Sequence, residues 1–480
     1  MKKPIAFFDL DGTLRDTFNY KYPRATQVTL FDGIRERLSA LRGLGYYLVG
    51  ITNQGGVAQQ VITKEEVEQA NSRTQELLKE SRLDLLLYCP HHKEADGFIC
   101  DCKKPAVGMV LDALSILDSS TLDGSFVVGD DPKADQGLAL ALDLPFVPAE
   151  RFRNWSAAEI LNTTNREQSH THKISDDRVT GCLVGLAVAD ALGAQVEFWP
   201  RAKVRETFPH GLRQMRDTHL WKAGEFTDDT EMALLLAESL LTFGGLNAPD
   251  VARRFSAWAR TAKDVGIQVR RVTSMAGYCD HPEECARQDY FHHQDNAAGN
   301  GAVMRCAPVA LFRSGFLPML LADSRRSARV THGDPKAQSS CVLINMAIAH
   351  VLQGGGKESP WKHGMTFLTS YERECWKRLP ELSSFTEQEI SSRGYTVSTV
   401  EAAFWSFIQS DCFEDAVERA ACLGDDADTV AAVTGALAGA YYGYGSIPKR
   451  WIEQLTGEEQ IRSTALRLYR EGIEKNQIGG

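Results

Sequence analysis

The hydrophobic periodicity of this chain changes once and does not change back. Over the first 150 residues, short apolar runs at 5–10, 47–52, 83–88, 125–129 and 145–147 alternate with helix-length patterns. One of these, 65–81, is acidic at its start, as the helix macrodipole favours. Strand–helix alternation of this kind predicts a parallel α/β sheet. From Arg178 onward the texture becomes alanine-rich, with helix-length patterns at 181–192, 231–241, 337–352, 400–408, 416–422 and 429–442, which predicts an all-α domain. The stretch between them turns polar, loses its periodicity and carries His170 and His172. The predicted organisation is an α/β domain over 1–153, a linker over 154–175 and an all-α domain over 176–480. A segment rich in Gly, Ser, Pro and charge, 353–393, is expected to be a peripheral insertion.

Two domains also follow from length, since 480 residues exceed what one hydrophobic core holds. The net charge of −10 gives no overall basic footprint for nucleic acid. No apolar run reaches the ~18–20 residues of a spanning helix, and Asp9 interrupts the start before a signal core could form. A cytoplasmic protein with no membrane partner is expected. Of the eleven cysteines, Cys89, Cys100 and Cys102 cluster beside His91, whereas Cys182, Cys306, Cys341 and Cys422 sit in apolar helical surroundings and are expected to be inert core thiols.

The first apolar run ends in Asp9-Leu10-Asp11-Gly12-Thr13, which places two carboxylates at the carboxyl end of a parallel strand, where such sheets bind ligands. Carboxylates two residues apart can divide labour, one attacking phosphorus and the other serving the leaving group and then water. With Thr52-Asn53-Gln54 after a second strand, Lys104-Pro105, and Gly129-Asp130-Asp131 after another, the order of motifs resembles the haloacid-dehalogenase phosphatase superfamily. The resemblance implies Asp9 as nucleophile, Asp11 as acid/base, and Thr52 and Lys104 as phosphate-oxygen donors. It further implies one Mg²⁺ among Asp9, Asp11 and Asp130, with Asn53 and Lys103 toward the substrate. Cations are needed because an anionic carboxylate must approach an anionic phosphate.

Cys89, His91, Cys100 and Cys102 supply the soft ligand set of a tetrahedral structural Zn²⁺ just before Lys104. This segment resembles the zinc loop of the heptose-bisphosphate phosphatases and their histidinol-phosphatase relatives. Those heptose enzymes usually carry Arg where this chain has Lys103, which lacks the bidentate fork. His92 is expected to face solvent.

In the second half, a small-residue helix from Gly181 leads to Asp190 and Glu197, and the clusters Thr227-Asp228-Asp229 and Asp426-Ala427-Asp428-Thr429 each stand at an apparent helix start. Singly, each cluster reads as an N-cap. Together they offer hard oxygen ligands suited to Mg²⁺ or Mn²⁺. With Gly299-Asn300-Gly301 and Thr331-His332-Gly333-Asp334, this half resembles the ADP-ribosylglycohydrolase family. That resemblance implies two Mg²⁺ held by Thr227, Asp228, Asp229, Asp426, Asp428 and Thr429, with Glu197 near them as a catalytic carboxylate. Gly299, Asn300, Gly301 and His332 are expected to line the ADP-ribose, and Arg305 either braces the glycine loop or meets a phosphate.

The joint expectation is a bifunctional hydrolase, acting on small-molecule or protein-linked ADP-ribose and on a phosphomonoester. Two alternatives stay open: a phosphatase for an unrelated sugar phosphate, or one half kept as a binding module. Nucleic-acid-linked ADP-ribose is not indicated by the charge.

Overall fold

The computed structural model describes residues 3–18, 20–92, 100, 102–117, 122, 124–142, 144–155, 159, 174–314 and 316–478. Most of the predicted linker, including His170 and His172, lies outside the described residues, as do 93–99 and 101 of the cysteine-rich loop. The chain divides into two compact units: residues 1–170 with 317–322 and 476–480, and residues 171–316 with 323–475.

The first unit carries strands β1 (Ile5–Phe8), β2 (Arg15–Asp16), β3 (Thr29–Leu30), β4 (Tyr47–Asn53), β5 (Leu85–Cys89), β6 (Phe126–Gly129) and β7 (Phe146–Pro148). Five of them form one parallel sheet in the order β5-β4-β1-β6-β7. All four residues of β1 are buried, as its unbroken apolar run requires at the centre of a covered sheet. Phe8, Phe126, Phe152 and Trp155 close the core beneath it. The predicted helix at 65–81 is Lys64–Leu78, started by a Thr63–Glu66 capping box and tightening into a 3₁₀ turn at Lys79–Ser81. The short β2–β3 hairpin, two residues a side, was too brief for periodicity to announce.

In the second unit every predicted helix is present, as Asp176–Gly193, Asp228–Phe243, Pro335–Leu352, Thr396–Ile408, Phe413–Ala421 and Ala427–Tyr442. Shorter helices such as Arg201–Thr207 and Ile267–Thr273 were not foreseen. The small residues of Asp176–Gly193 let Ala427–Tyr442 approach it closely. A Cβ on Gly185 would stand 2.5 Å from the Gly435 carbonyl oxygen, and one on Gly193 would stand 2.5 Å from Asp428 Cα. This packing carries Asp428 to the end of the neighbouring helix.

The segment 353–393 is not peripheral, contrary to expectation. Trp376, Leu379 and Leu382 are fully buried, Trp376 Nε1 donates to Ser339 Oγ, and Glu372 receives the buried Arg325 guanidinium at 2.6 Å. Its polar composition reflects ion pairs and caps around a few large apolar anchors, which an average over the segment conceals.

Candidate active sites

In the first unit the carboxyl ends of β1, β4 and β6 converge on a group of carboxylates. Asp9, Asp130 and Asp135 bring oxygens within 4.8 Å of one another. Lys104 Nζ donates to Asp9 Oδ1 at 2.5 Å and to Asp135 Oδ1 at 2.6 Å. Burial raises Asp9 to about 7 against the pull of the lysine, while Asp9 and Asp135 overcome burial to hold Lys104 above its ordinary value. Three carboxylates around one ammonium leave an excess of negative charge, so the donor set fits a divalent cation among Asp9, Asp130 and Asp135. Gly12 sits at φ +79°, and a Cβ there would lie 2.2 Å from Asp130 Oδ2, so the loop after Asp11 needs glycine at this point.

Asp11 stands apart from that group. Arg15 grips both of its oxygens at 2.8 and 3.1 Å, and Gln54 Nε2 and Thr52 Oγ1 donate to Oδ2 at 2.7 and 3.2 Å. The structure therefore brings Asp9 and Asp130 together as expected and ties both Asp11 and Thr52 into a separate hydrogen-bonded set. Arg15 is in turn held by Asn71 and Thr74. Asn53 clamps the backbone of Lys104 through its side-chain oxygen and nitrogen at 2.9 and 3.1 Å, and thereby positions the lysine. Lys103 is half-buried beside it. Asp135 was missed by the sequence reading. Its signal was a carboxylate in the first turn of the helix that follows the Asp130 loop.

Cys89, His91, Cys100 and Cys102 also draw within 4.8 Å. Cys89 Sγ lies 3.1 Å from Cys102 Sγ and 3.5 Å from Cys100 Sγ, and His91 Nδ1 lies 3.2 Å from Cys102 Sγ. A tetrahedral zinc with bonds of about 2.0–2.3 Å has ligand edges of roughly 3.5–3.8 Å, so this set fits Zn²⁺ with small adjustment. His92 is half-buried against Gln59 Nε2 at 3.2 Å, outside the group and less open to solvent than expected.

In the second unit two helix starts from opposite ends of the sequence meet. The hydroxyls of Thr227 and Thr429 both donate to Asp229 Oδ2, at 3.3 and 3.2 Å. Glu197, Asp426 and Asp428 come within 4.8 Å of one another. Asp229 Oδ1 and Asp428 Oδ1 are buried without a hydrogen-bond partner. Orphaned carboxylate oxygens are costly in a protein interior, and divalent cations would satisfy them. Burial, then Asp264 and further carboxylates, pushes Glu197 and Asp228 each up to about 8, and burial with neighbouring carboxylates holds Asp229 and Asp428 well above their ordinary values.

Asp190 positions this site from the small-residue helix. It accepts the Thr227 and Thr230 N–H groups at 2.9 and 3.0 Å and the Thr230 hydroxyl at 2.5 Å, which fixes the start of Asp228–Phe243. Asn300 Nδ2 reaches Asp426 Oδ2 at 2.6 Å, so the glycine loop is tied to a site carboxylate. Arg305 is buried and braces that loop, donating to the Gly301 carbonyl and to Thr331 Oγ1. His332 lies beneath Gly299 and Gly301, with Nδ1 on Thr331 Oγ1 at 2.8 Å; burial, with Arg305 and Arg271, holds it neutral. Asp264, in a connecting loop, had no sequence signal.

Fold and sites define a two-domain hydrolase, with phosphatase machinery on a parallel sheet and an acidic, metal-suited centre on a helical unit. The chain belongs to the ADP-ribosylglycohydrolase family, whose model matches residues 171–477. Residues 4–174 match the family model described as polynucleotide kinase 3 phosphatase, a haloacid-dehalogenase-like phosphatase domain. The ADP-ribosylarginine hydrolase Tri1 of Serratia proteamaculans is 33% identical over 71% of this chain and 93% of its own length. The ADP-ribosyl-[dinitrogen reductase] glycohydrolase of Rhodospirillum rubrum is 31% identical over 58% of this chain and 90% of its own. A chain of a solved ADP-ribosylglycohydrolase-related protein complex superposes with a TM-score of 0.52 at 36% identity, covering 62% of this chain and 98% of that one. No helix among the described residues is long and apolar enough to cross a membrane.

Proposed function

We propose that the helical unit hydrolyses the N-glycosidic bond between ADP-ribose and an arginine side chain, and that the sheet unit dephosphorylates a phosphomonoester carried by an ADP-ribosyl compound. The observation that carries the first half is the meeting of Thr227–Asp229 with Asp426–Thr429, which leaves buried carboxylate oxygens without partners. The name of the Serratia relative supports arginine as the acceptor.

In the glycohydrolase site Thr227, Asp228, Asp229, Asp426, Asp428 and Thr429 would hold two Mg²⁺. Bound there, they would supply positive charge against the ribose hydroxyls and the reacting water. Glu197 comes within 4.8 Å of Asp426 and Asp428 and is the carboxyl group placed to give a proton to the departing nitrogen. Gly299 and Gly301, lacking a Cβ, would let the backbone approach the pyrophosphate closely, and His332, buried and with its pKa lowered well below the ordinary value, packs against the loop.

In the phosphatase site Asp9 attacks phosphorus and Lys104 offsets charge on the phosphate oxygens. Asp11, on its own tether of Arg15 and Gln54, serves the leaving group and then the water that cleaves the aspartyl phosphate. Asp9, Asp130 and Asp135 would hold one Mg²⁺, and Cys89, His91, Cys100 and Cys102 one structural Zn²⁺ that fixes the loop leading to Lys104. A second reading, a phosphate at a nucleic-acid end, is favoured by the description of the matching family model.

The test is incubation of the protein with Mg²⁺ and, separately, ADP-ribosylarginine, ADP-ribose-1″-phosphate and a 3′-phosphorylated oligonucleotide, with products identified by mass spectrometry. Phosphate release from the ADP-ribose phosphate, abolished by Asp9→Asn, is expected. Release only from the oligonucleotide moves the sheet unit to the second reading.

A further inference from the structure

Phe198 follows Glu197 directly, yet it is 75% exposed and sits in the left-handed region at φ +60°. A bulky aromatic residue is strained there and persists only where its surroundings enforce it. The enforcement is visible. Phe198 N–H donates to the Asp425 carbonyl at 2.6 Å, and Asp425 N–H returns to the Trp199 carbonyl at 2.8 Å, with Asp425 itself at φ +53°. Arg201 locks the same turns, donating to the carbonyls of Leu423, Glu387 and Ile390 at 3.1, 2.6 and 2.6 Å. The turns that present Glu197 and Asp426 are therefore hooked together, and Phe198 is carried on the hooked turn.

Folding alone does not call for this ring. Glycine or asparagine would take the same backbone shape without strain and without exposing an apolar surface. Among the described residues no ring or cation packs on it, whereas the adjacent Trp199 carries Lys203 Nζ 3.7 Å from its ring centroid. Phe198 is thus the exposed neighbour of Glu197, whose carboxylate lies within 4.8 Å of those of Asp426 and Asp428.

We propose that Phe198 reads the acceptor in the glycohydrolase site: its ring face stacks on the planar, cationic guanidinium of an ADP-ribosylated arginine side chain. A guanidinium is flat, weakly hydrated and attracted to an aromatic face. A serine-linked acceptor has neither the plane nor the charge. The assignment rests on the glycohydrolase reading above and adds to it the residue that selects the leaving group.

The experiment measures kcat and KM of the full chain with Mg²⁺ on an ADP-ribosylarginine peptide and on an ADP-ribosylserine peptide, the latter as a competitive inhibitor where it is not cleaved. Calorimetry of free ADP-ribose runs in parallel. Phe198→Ala and Phe198→Gly are each expected to raise KM for the arginine peptide about tenfold, with kcat, the serine-peptide constant and ADP-ribose affinity moving less than about twofold. Phe198→Trp restores the arginine-peptide KM. Phe198→Gly accepts the backbone shape, so a thermal midpoint at or above wild type shows that its KM effect does not come from misfolding. An equal loss on both peptides, an equal loss of ADP-ribose affinity, or no change in KM overturns the proposal. Failure of the wild type to cleave the arginine peptide at all overturns the glycohydrolase reading and this inference with it.

Discussion

Both units gather carboxylates at the ends of secondary-structure elements, but they settle the resulting charge by different means. In the sheet unit the protein brings its own cations: Lys104 lies between Asp9 and Asp135, and Arg15 spans both oxygens of Asp11. In the helical unit Glu197, Asp228, Asp229, Asp426 and Asp428 have no lysine or arginine at ion-pair distance among the described residues. They lean instead on threonine hydroxyls, Asn300 and one another. The first site is electrostatically framed before any ion arrives. The second is framed by neutral donors and its own carboxylates, and its excess charge calls for cations from outside.

The largest expected effect breaks the first arrangement. Lys104→Met leaves Asp9 and Asp135 buried without their counter-charge and should destabilise the sheet unit by about 3–5 kcal/mol. Phosphatase activity should disappear while ADP-ribosyl hydrolysis continues, as thermal unfolding and the two assays on one preparation will show.

The second arrangement is tested by metal and pH together. Glu197 and Asp228, raised to about 8 when folded, bind more protons in the native than in the unfolded state over the range above about pH 4. Metal-free protein should therefore lose stability as pH rises from about 4 to 8. Mg²⁺ at a hundredfold excess over its Kd should restore about 2.7 kcal/mol per site, and at a fixed Mg²⁺ concentration the gain should grow with pH as the carboxylates lose their protons. Calorimetric melting at several pH values, with and without Mg²⁺, measures both.

Gly185→Val sharpens the comparison from the packing side. The added side chain meets the Gly435 carbonyl and separates the helix that carries Asp190 from the helix that carries Asp428. A loss of about 1–3 kcal/mol and of hydrolysis of ADP-ribosylarginine is expected, with phosphate release retained. The smallest effect is Asp190→Asn, which weakens the hold on Thr227 and Thr230. About 1 kcal/mol of stability should go, together with a weaker Mg²⁺ affinity by isothermal titration.

The two sites were not equally legible in the sequence. Asp9 and Asp11 stand out in the sequence because they follow the apolar run of β1 directly, whereas Lys104 is indicated only by the order of motifs that carries the resemblance. Asp135 was hidden because a carboxylate in a helix's first turn is ordinary, and only folding brings it onto Lys104. In the helical unit the paired clusters were visible as composition, but the hydroxyls of Thr227 and Thr429 meeting at Asp229 are a tertiary fact. The glycines of Asp176–Gly193 hinted at close packing without naming the partner helix. The 353–393 segment looks peripheral in sequence because three buried anchors, Trp376, Leu379 and Leu382, are outnumbered by polar neighbours. The sequence alone gives Arg305 two roles, and its bonds to Gly301 and Thr331 assign it to bracing the loop.

The central claim is that one chain carries two separate hydrolytic sites. It is tested most directly by assaying phosphate release and ADP-ribose release on the same preparations of wild type, Asp9→Asn and Asp228→Asn. The account predicts that Asp9→Asn loses only phosphate release and Asp228→Asn loses only ADP-ribose release. Loss of both activities in either variant, with the protein still folded, would contradict it.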